Sequence, residues 1–473
     1  MRVESAKYNK PILPEHNGNP LIEALPPKLP WQEVMNKLSN YPDYAEDIAE
    51  HPDPLVREEY LMRIKELRQP LEEYQECFRA VERAIKVGYS ARNPHSPTTI
   101  QYMHYNIDEL PEITPVTGNF IPKGDGLTLI GDSGIGKSTM IEQVLNYFPS
   151  IIVHKKHDGK EVPFKHQVVS LKVDCPHSSS VRDLCEEILS ALDLVLGREL
   201  TKPEAYIGSL TRQIEQHIKT CQLGILVIDE MQNLQFKKTG GENKLLNYIH
   251  RLVNKLGIPI FFIANPPFDE SLVTALKAAR RAESGYFKKL KVLDAEDQSW
   301  RAFIDALWNY QWTNPYTELS DTLARKLHEL TCGNIDMAAR TYTEAQRLLI
   351  GSDDETITET SLETAYNVAC GLSKSTSEII AQKTSSTLPS GPVRNSRIAK
   401  QNSSKKKTDK TGDITKPQHP EFAAQITTLL KDVDLASKIA DPDKIQSALL
   451  DDNPLNRLAT TGVLMSDPLA ELG

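Results

Sequence analysis

With 473 residues, a formal net charge of −9 and 39% hydrophobic residues, the chain is long enough for two or three domains and has the composition of a soluble globular protein. No apolar stretch approaches the ~20 residues of a membrane span, and Met1-Arg2-Val3-Glu4-Ser5 lacks the apolar core of a signal peptide, so a cytoplasmic protein with no membrane partner is expected. Six scattered cysteines (Cys77, Cys175, Cys185, Cys221, Cys332, Cys370), without a C-x-x-C pair or a His cluster at ligand spacing, argue against zinc or a disulfide framework.

Residues 1–30 are Pro-rich (Pro11, Pro14, Pro20, Pro26, Pro27, Pro30) and read as irregular. Val56 to Val87 is broken by Pro70 but otherwise places Leu61, Ile64 and Leu67, then Leu71, Tyr74, Phe78, Val81 and Ile85, at helical spacing. That face is expected to pack as core against the domain that follows, which makes 1–99 an N-terminal extension, partly disordered and then helical. An alternative role for the first ~30 residues is a docking arm for a partner.

Leu127-Thr128-Leu129-Ile130 reads as a buried strand and Thr139 to Tyr147 as a helix. Between them Gly131-Asp132-Ser133-Gly134-Ile135-Gly136-Lys137-Ser138 fits the phosphate-loop pattern G-x-x-x-x-G-K-[ST]. The glycines let backbone N–H groups converge on phosphates at a helix N-terminus, Lys137 reaches the β- and γ-phosphates, and the Ser138 hydroxyl takes a place on Mg²⁺. A nucleoside triphosphate is the implied ligand, with Thr139 closing the loop.

Further strands are expected at Ile151 to Val153 and Gln167 to Val173. Gly224-Ile225-Leu226-Val227-Ile228-Asp229-Glu230 reads as a buried parallel strand with acids at its carboxyl end, the edge where ligands bind in open α/β sheets. Asp229 would hold Mg²⁺ through water and Glu230 would polarise the attacking water; alone, such a pair is an ordinary helix start. Ile258-Pro259-Ile260-Phe261-Phe262-Ile263-Ala264 is another strand, after which Asn265 is either a turn residue or a hydrogen-bond donor to the γ-phosphate or the lytic water. Strands alternating with helices imply a mostly parallel sheet. Arg280-Arg281 then follow a helix at the rim. One of them is either an arginine reaching into a neighbouring subunit's site or a residue of a solvated helix end.

In sequence order, Gly131 to Thr139, Leu226 to Gln232, Gly257 to Asn265, Arg280-Arg281…Gly285, Trp300…Phe303…Leu307-Trp308…Trp312, Thr331-Cys332-Gly333-Asn334-Ile335-Asp336 and Ile357-Thr358…Ala365-Tyr366 resemble the transposon-encoded AAA+ regulators called TnsC and TniB. The resemblance implies an α/β AAA+ P-loop domain with a parallel sheet (100–294), a small helical lid (295–372), and ATP with Mg²⁺ as cofactors. It further implies ATPase activity and a homo-oligomer, a ring or helical filament, that wraps duplex DNA, links a target-selector protein to the transposase and disassembles on hydrolysis. In that setting Lys155, Lys156 and His157, and Lys237, Lys238 and Lys244, are the candidates to follow DNA phosphates without reading bases, the alternative being solvated loops. The chain departs from the broader AAA+ pattern where Gly333-Asn334-Ile335 is followed by Asp336, not by a sensor 2 arginine; Arg340, one turn later, is the nearby substitute. Two other readings of the nucleotide motifs are a STAND-like or Orc-like switch that scaffolds proteins, and a defence-system ATPase without a transposase.

The stretch 373–420 is expected to be a disordered basic linker, since 384–420 carries eight basic residues against two acidic ones and abounds in Ser, Thr, Pro and Gly. Beyond it, 421–473 carries nine acidic residues against four basic ones, and its short apolar pieces suit a tail that folds on a partner, the alternative being a solubilising tail with none.

Overall fold

The computed structural model describes residues 2–99, 121–178, 180–233, 248–249, 252–268 and 284–371. The expected linker and tail beyond 372 lie outside these. In chain order the N-terminal region gives strand β1 (Val3–Ser5), helices α1 (Pro20–Glu23), α2 (Trp31–Leu38) and α3 (Pro54–Tyr60), a 3₁₀ helix (Leu61–Glu66) and the long α4 (Glu73–Ser90). Then follow β2 (Gly126–Ile130), α5 (Lys137–Asn146), β3 (Ile151–Val153), the short hairpin β4 (Lys156–His157) and β5 (Lys160–Glu161), β6 (His166–Val168), β7 (Ser170–Asp174), α6 (Val181–Leu196) and α7 (Ile207–Thr220). Strands β8 (Ile225–Asp229), β9 (Ile260–Ala264) and β10 (Tyr286–Lys289) complete the sheet, and α8 (Gln298–Trp308), α9 (Asp321–Thr331), α10 (Ile335–Leu349) and α11 (Glu359–Ala369) form the helical end.

The central sheet runs β10-β2-β9-β8-β7 with every neighbouring pair parallel. Its inner strands β2, β9 and β8 are buried on both pleats, as a sheet covered on two faces requires, whereas the edge strands β10 and β7 carry Lys288, Lys289, Ser170, Lys172 and Asp174. Leu127, Leu129, Ile225, Val227, Phe261 and Ile263 face α4 and α5, whereas Leu226, Ile228, Ile260 and Phe262 face α6, α7 and a π-helical turn at Leu252–Leu256. The single strand read over Gln167 to Val173 is two. At Val169 the chain stops pairing with β3, its N–H bonding the Ser150 carbonyl at 3.1 Å, and moves over to pair with β8.

The N-terminal residues read as irregular are anchored on the body. Strand β1 adds to β3 in parallel, making a second small sheet β1-β3-β6, and Leu21 and Leu25 are buried. Asn19 caps α1 through its side chain and also donates to the Tyr89 carbonyl at 2.9 Å, tying this segment to α4. The helical face read from Leu61 to Ile85 divides between two cores. Tyr74, Phe78, Val81 and Ile85 lie under the sheet, while Leu61, Ile64 and Leu67 pack with Trp300, Trp308, Trp312 and Tyr342 in the helical lid. The chain crosses between the cores at 39–43, at 68–73 and at 291–292, and an antiparallel bridge between Asn40 and Arg68 joins the first two crossings.

A buried ion pair fastens α3 to the lid. Arg57 and Glu355 form a bidentate pair at 2.5 and 2.7 Å, Arg57 also donates to the Trp312 carbonyl at 3.2 Å, and Glu355 accepts the N–H groups of Asn314 and Gly351 at 2.8 and 2.7 Å. Burial alone would raise the Glu355 pKa, but these hydrogen bonds and the guanidinium outweigh it and hold the carboxyl below its ordinary 4.5.

Arg57→Ala should therefore leave a buried carboxylate without its cation and cost about 3–5 kcal/mol in urea unfolding. Because Glu355 titrates lower folded than unfolded, the folded chain binds fewer protons between the two values, so stability rises with pH across that window. The contribution should be complete above 4.5 and lost as pH falls through the lower folded value. Acid unfolding of Glu355→Gln, set beside the native chain, should show a weaker pH dependence there.

Candidate nucleotide site

The phosphate loop leaves β2 at its carboxyl end and enters α5. Gly134 and Gly136 sit at φ +81° and +91°, where a side chain is strained, and Gly136 caps α5. A Cβ on Gly134 would also stand 2.7 Å from the Asn334 side-chain oxygen. The loop's N–H groups therefore open at a helix N-terminus, an arrangement suited to an anion. Lys137 is 8% exposed and its Nζ donates to the Asp132 carbonyl at 2.7 Å. Burial holds its pKa below the usual lysine value against the pull of Asp229, Asp132 and Glu230.

The parallel register of β7 and β8 sets Asp174 beside Asp229 and brings Lys172 of β7 to the same edge. Ser138 Oγ donates to Asp229 Oδ2 at 3.0 Å, and Lys172 Nζ lies 3.1 Å from that oxygen and 2.8 Å from Glu142 Oε1. Burial pulls the Lys172 pKa down, but the bonds to Glu142 and Asp229 outweigh it and leave it raised. The Ser138 hydroxyl and Asp229 carboxylate are hard oxygen donors, one of them anionic. That set fits Mg²⁺, which takes one or two carboxylates with substrate phosphates and water.

Glu230 follows directly, exposed and in the left-handed region at φ +56°. Its N–H donates to Asp229 Oδ1 at 2.8 Å. The Gln232 side-chain amide donates to the Glu230 carboxylate and accepts the Asn265 N–H at 2.9 Å, spanning the ends of β8 and β9. Asn265 thus opens onto the same edge as the loop and the acids.

The lid closes directly on the loop. Asn334 caps α10 by accepting the Met337 N–H at 3.1 Å, and its amide donates to the Ser133 carbonyl at 2.9 Å; the Asp336 N–H donates to the Gly134 carbonyl at 3.0 Å. Arg340 lines the cleft but is engaged by Asp336 at 3.5 Å and by the Ala369 carbonyl. The cleft so enclosed has a volume of about 980 Å³, with the loop and strand ends on one side, Ile335 and Ala339 of the lid on another, and Leu67, Arg68, Gln69 and Leu71 of the N-terminal region on a third.

Of the residues singled out from the sequence, Gly131 to Thr139, Asp229, Glu230 and Asn265 gather at this one edge. Lys155 and Lys156 do not: they stand exposed where β3 gives way to the β4–β5 hairpin. His157 is closed to DNA, being 2% exposed with Nε2 at 2.6 Å from a Glu23 carboxylate oxygen. Arg280, Arg281, Lys237, Lys238 and Lys244 lie outside the described residues. Sequence reasoning gave Lys172 no role, took Gln232 and Asn334 only as parts of longer segments, and read Leu67 and Leu71 only as core positions. A lysine at the carboxyl end of a parallel strand was a readable signal for Lys172; the wall at 67–71 depends on long-range packing and carried none.

Replacing Asn334 with Ala removes a helix cap and the bond to Ser133, and should lower stability by about 1–2 kcal/mol. Thermal unfolding of the full chain should register this as a lower midpoint than that of the native protein. An unchanged midpoint would show that the lid does not depend on this side chain.

Residues 124–272 match the family model described as AAA domain. No curated protein matches the chain. Among solved structures it is similar to the Aeropyrum pernix ORC1 protein in complex with DNA (15% identity, TM-score 0.37, covering 66% of this chain and 68% of that one). It is also similar to a Walker-type ATPase of Pyrococcus abyssi (14%, 0.38, 55% and 71%) and to Cdc6p from Pyrobaculum aerophilum (12%, 0.38, 64% and 81%). With its five parallel strands, its phosphate loop between β2 and α5 and the matched AAA domain over 124–272, the chain has the AAA+ P-loop fold.

Proposed function

We propose that the chain binds ATP with Mg²⁺ and hydrolyses it, and that it works as a DNA-bound homo-oligomer linking a target selector to a transposase. The observation that carries the nucleotide part is the convergence of Lys137, Ser138, Asp229, Glu230 and Asn265 on one cleft of about 980 Å³. The triphosphate lies along the loop, with Lys137 exchanging the Asp132 carbonyl for the β- and γ-phosphates. The base lies towards Leu67, Leu71, Ile335 and Ala339. Ser138 and Asp229 hold the metal, which when bound neutralises charge on the phosphate oxygens. Glu230 accepts the proton of the attacking water and Asn265 orients it, while Arg280 or Arg281 of a neighbouring copy meets the γ-phosphate.

The transposition setting is supported by the sequence resemblance to TnsC and TniB. Exposed Lys155 and Lys156 suit sequence-tolerant phosphate contact. The stretch 384–473 is read as a tether to the transposition proteins, which it keeps at high local concentration. One observation favours a slower, switch-like ATPase of the STAND or Orc kind. Arg340, the substitute for a sensor 2 arginine, is already engaged by Asp336 and the Ala369 carbonyl.

Lys137→Ala should abolish ATP binding in a fluorescent-nucleotide titration. Glu230→Gln should bind ATP like the native chain, lose about two or more orders of magnitude in phosphate release, and give DNA assemblies that persist in electron micrographs. Native turnover that duplex DNA fails to stimulate would favour the switch reading.

Alanine at both Lys155 and Lys156 should weaken binding about equally across duplex sequences and flatten the salt dependence by roughly one unit per lost phosphate contact. Fluorescence anisotropy across a salt series reads both effects, and an unchanged slope removes this pair from the DNA surface.

A further inference from the structure

Glu230 is an exposed carboxylate on a left-handed residue directly beyond the last β8 residue, so little in its own backbone fixes where the carboxylate points. Its N–H is taken by Asp229 at 2.8 Å, and its carbonyl by the Asn233 N–H at 2.9 Å, which fastens the turn but not the side chain. Among the described residues the side chain is held by Gln232, whose amide nitrogen donates to Glu230 Oε2. The other end of that same amide accepts the Asn265 N–H at 2.9 Å. A primary amide both donates and accepts through adjacent atoms; a carboxylate at this position accepts only, an ammonium donates only, and a methionine thioether is at most a weak acceptor. Gln232 is half-buried and lines the cleft, so its side chain is not core filling.

From this bridge we infer that Gln232 is a positioning residue for hydrolysis: it holds the Glu230 carboxylate against the end of β9, so that Glu230 and Asn265 address the same water as one unit. The inference rests on the hydrolytic reading of the cleft and adds a residue to it. Gln232 moves no proton itself. Its donor keeps the carboxylate from swinging into solvent, and its acceptor ties that carboxylate to the Asn265 backbone. A misplacement of about 1 Å in such a group is enough to cost on the order of 100-fold in rate.

The test uses the full chain with Mg²⁺ and ATP, with and without duplex DNA. Gln232→Met keeps the length of the side chain and removes the donor, and Gln232→Glu keeps an acceptor for Asn265 but sets a carboxylate against Glu230. Both variants should lower kcat by roughly 10–100-fold, with KM for ATP within about threefold of native and an unaltered thermal midpoint without nucleotide. In a Glu230→Gln background, Gln232→Met should lower kcat no further, because the group it positions has gone. Unchanged or raised kcat in the single variants, a KM rise that matches the kcat loss, or an additive loss in the double variant would each overturn the inference while leaving the ATPase reading intact. A native chain that releases no phosphate under either condition would overturn the hydrolytic reading, and this inference with it.

Discussion

A parallel sheet whose inner strands are buried on both pleats has to be covered twice, and this constraint organises the described part of the molecule. One cover, α6 and α7, comes from within the α/β run. The other is shared between α5 and the N-terminal α4, which supplies Tyr74, Phe78, Val81 and Ile85 beneath Leu127, Leu129, Phe261 and Ile263. Drawing α4 onto the sheet brings the segment before it across the carboxyl edge of the strands. That segment then becomes a wall of the nucleotide cleft.

Charge at the same edge is balanced among the residues present. Asp229 is met by Ser138 and Lys172, Lys172 also by Glu142, and Lys137 rests on a loop carbonyl. Asp229 and Lys137, the buried charges among these, each have a partner, which makes their burial tolerable. An incoming polyanion with its counter-ion would exchange these partners and would not meet bare charge. Preorganised dipoles of this kind act more strongly in a cleft walled from water than on an open surface.

The loop, the acidic strand end and Asn265 were legible because their chemistry demands particular residues at fixed spacing along a few strands. The parallel sheet was legible from the same strands, and even the break at Pro70 fell close to the crossing between cores. The split of Gln167 to Val173 was not legible: no Gly, Pro, Asn or Asp interrupts Val168, Val169, Leu171 and Val173, and what separates the two strands is a change of partner at Val169. The anchoring of residues 1–30 was obscured in a similar way. Proline content describes local hydrogen bonding, whereas Leu21 and Leu25 are buried by tertiary packing. Asn334 was visible as part of a turn, but its reach to Ser133 depends on how the lid folds back.

The three crossings between the sheet core and the lid core have a thermodynamic consequence. Leu67, Leu71, Tyr74, Leu290 and Leu293, the residues on either side of two of those crossings, all border the cleft. A ligand seated there touches both cores at once, so its binding free energy is added to their mutual cohesion. The two halves become one cooperative body in proportion to the logarithm of nucleotide concentration over its dissociation constant. Residues 44–67, locked to the lid by Arg57 and Glu355, are carried in that balance although they precede the phosphate loop by more than sixty positions. Occupancy of the cleft would thereby be felt at residues 44–67, a surface far in sequence from the phosphate loop.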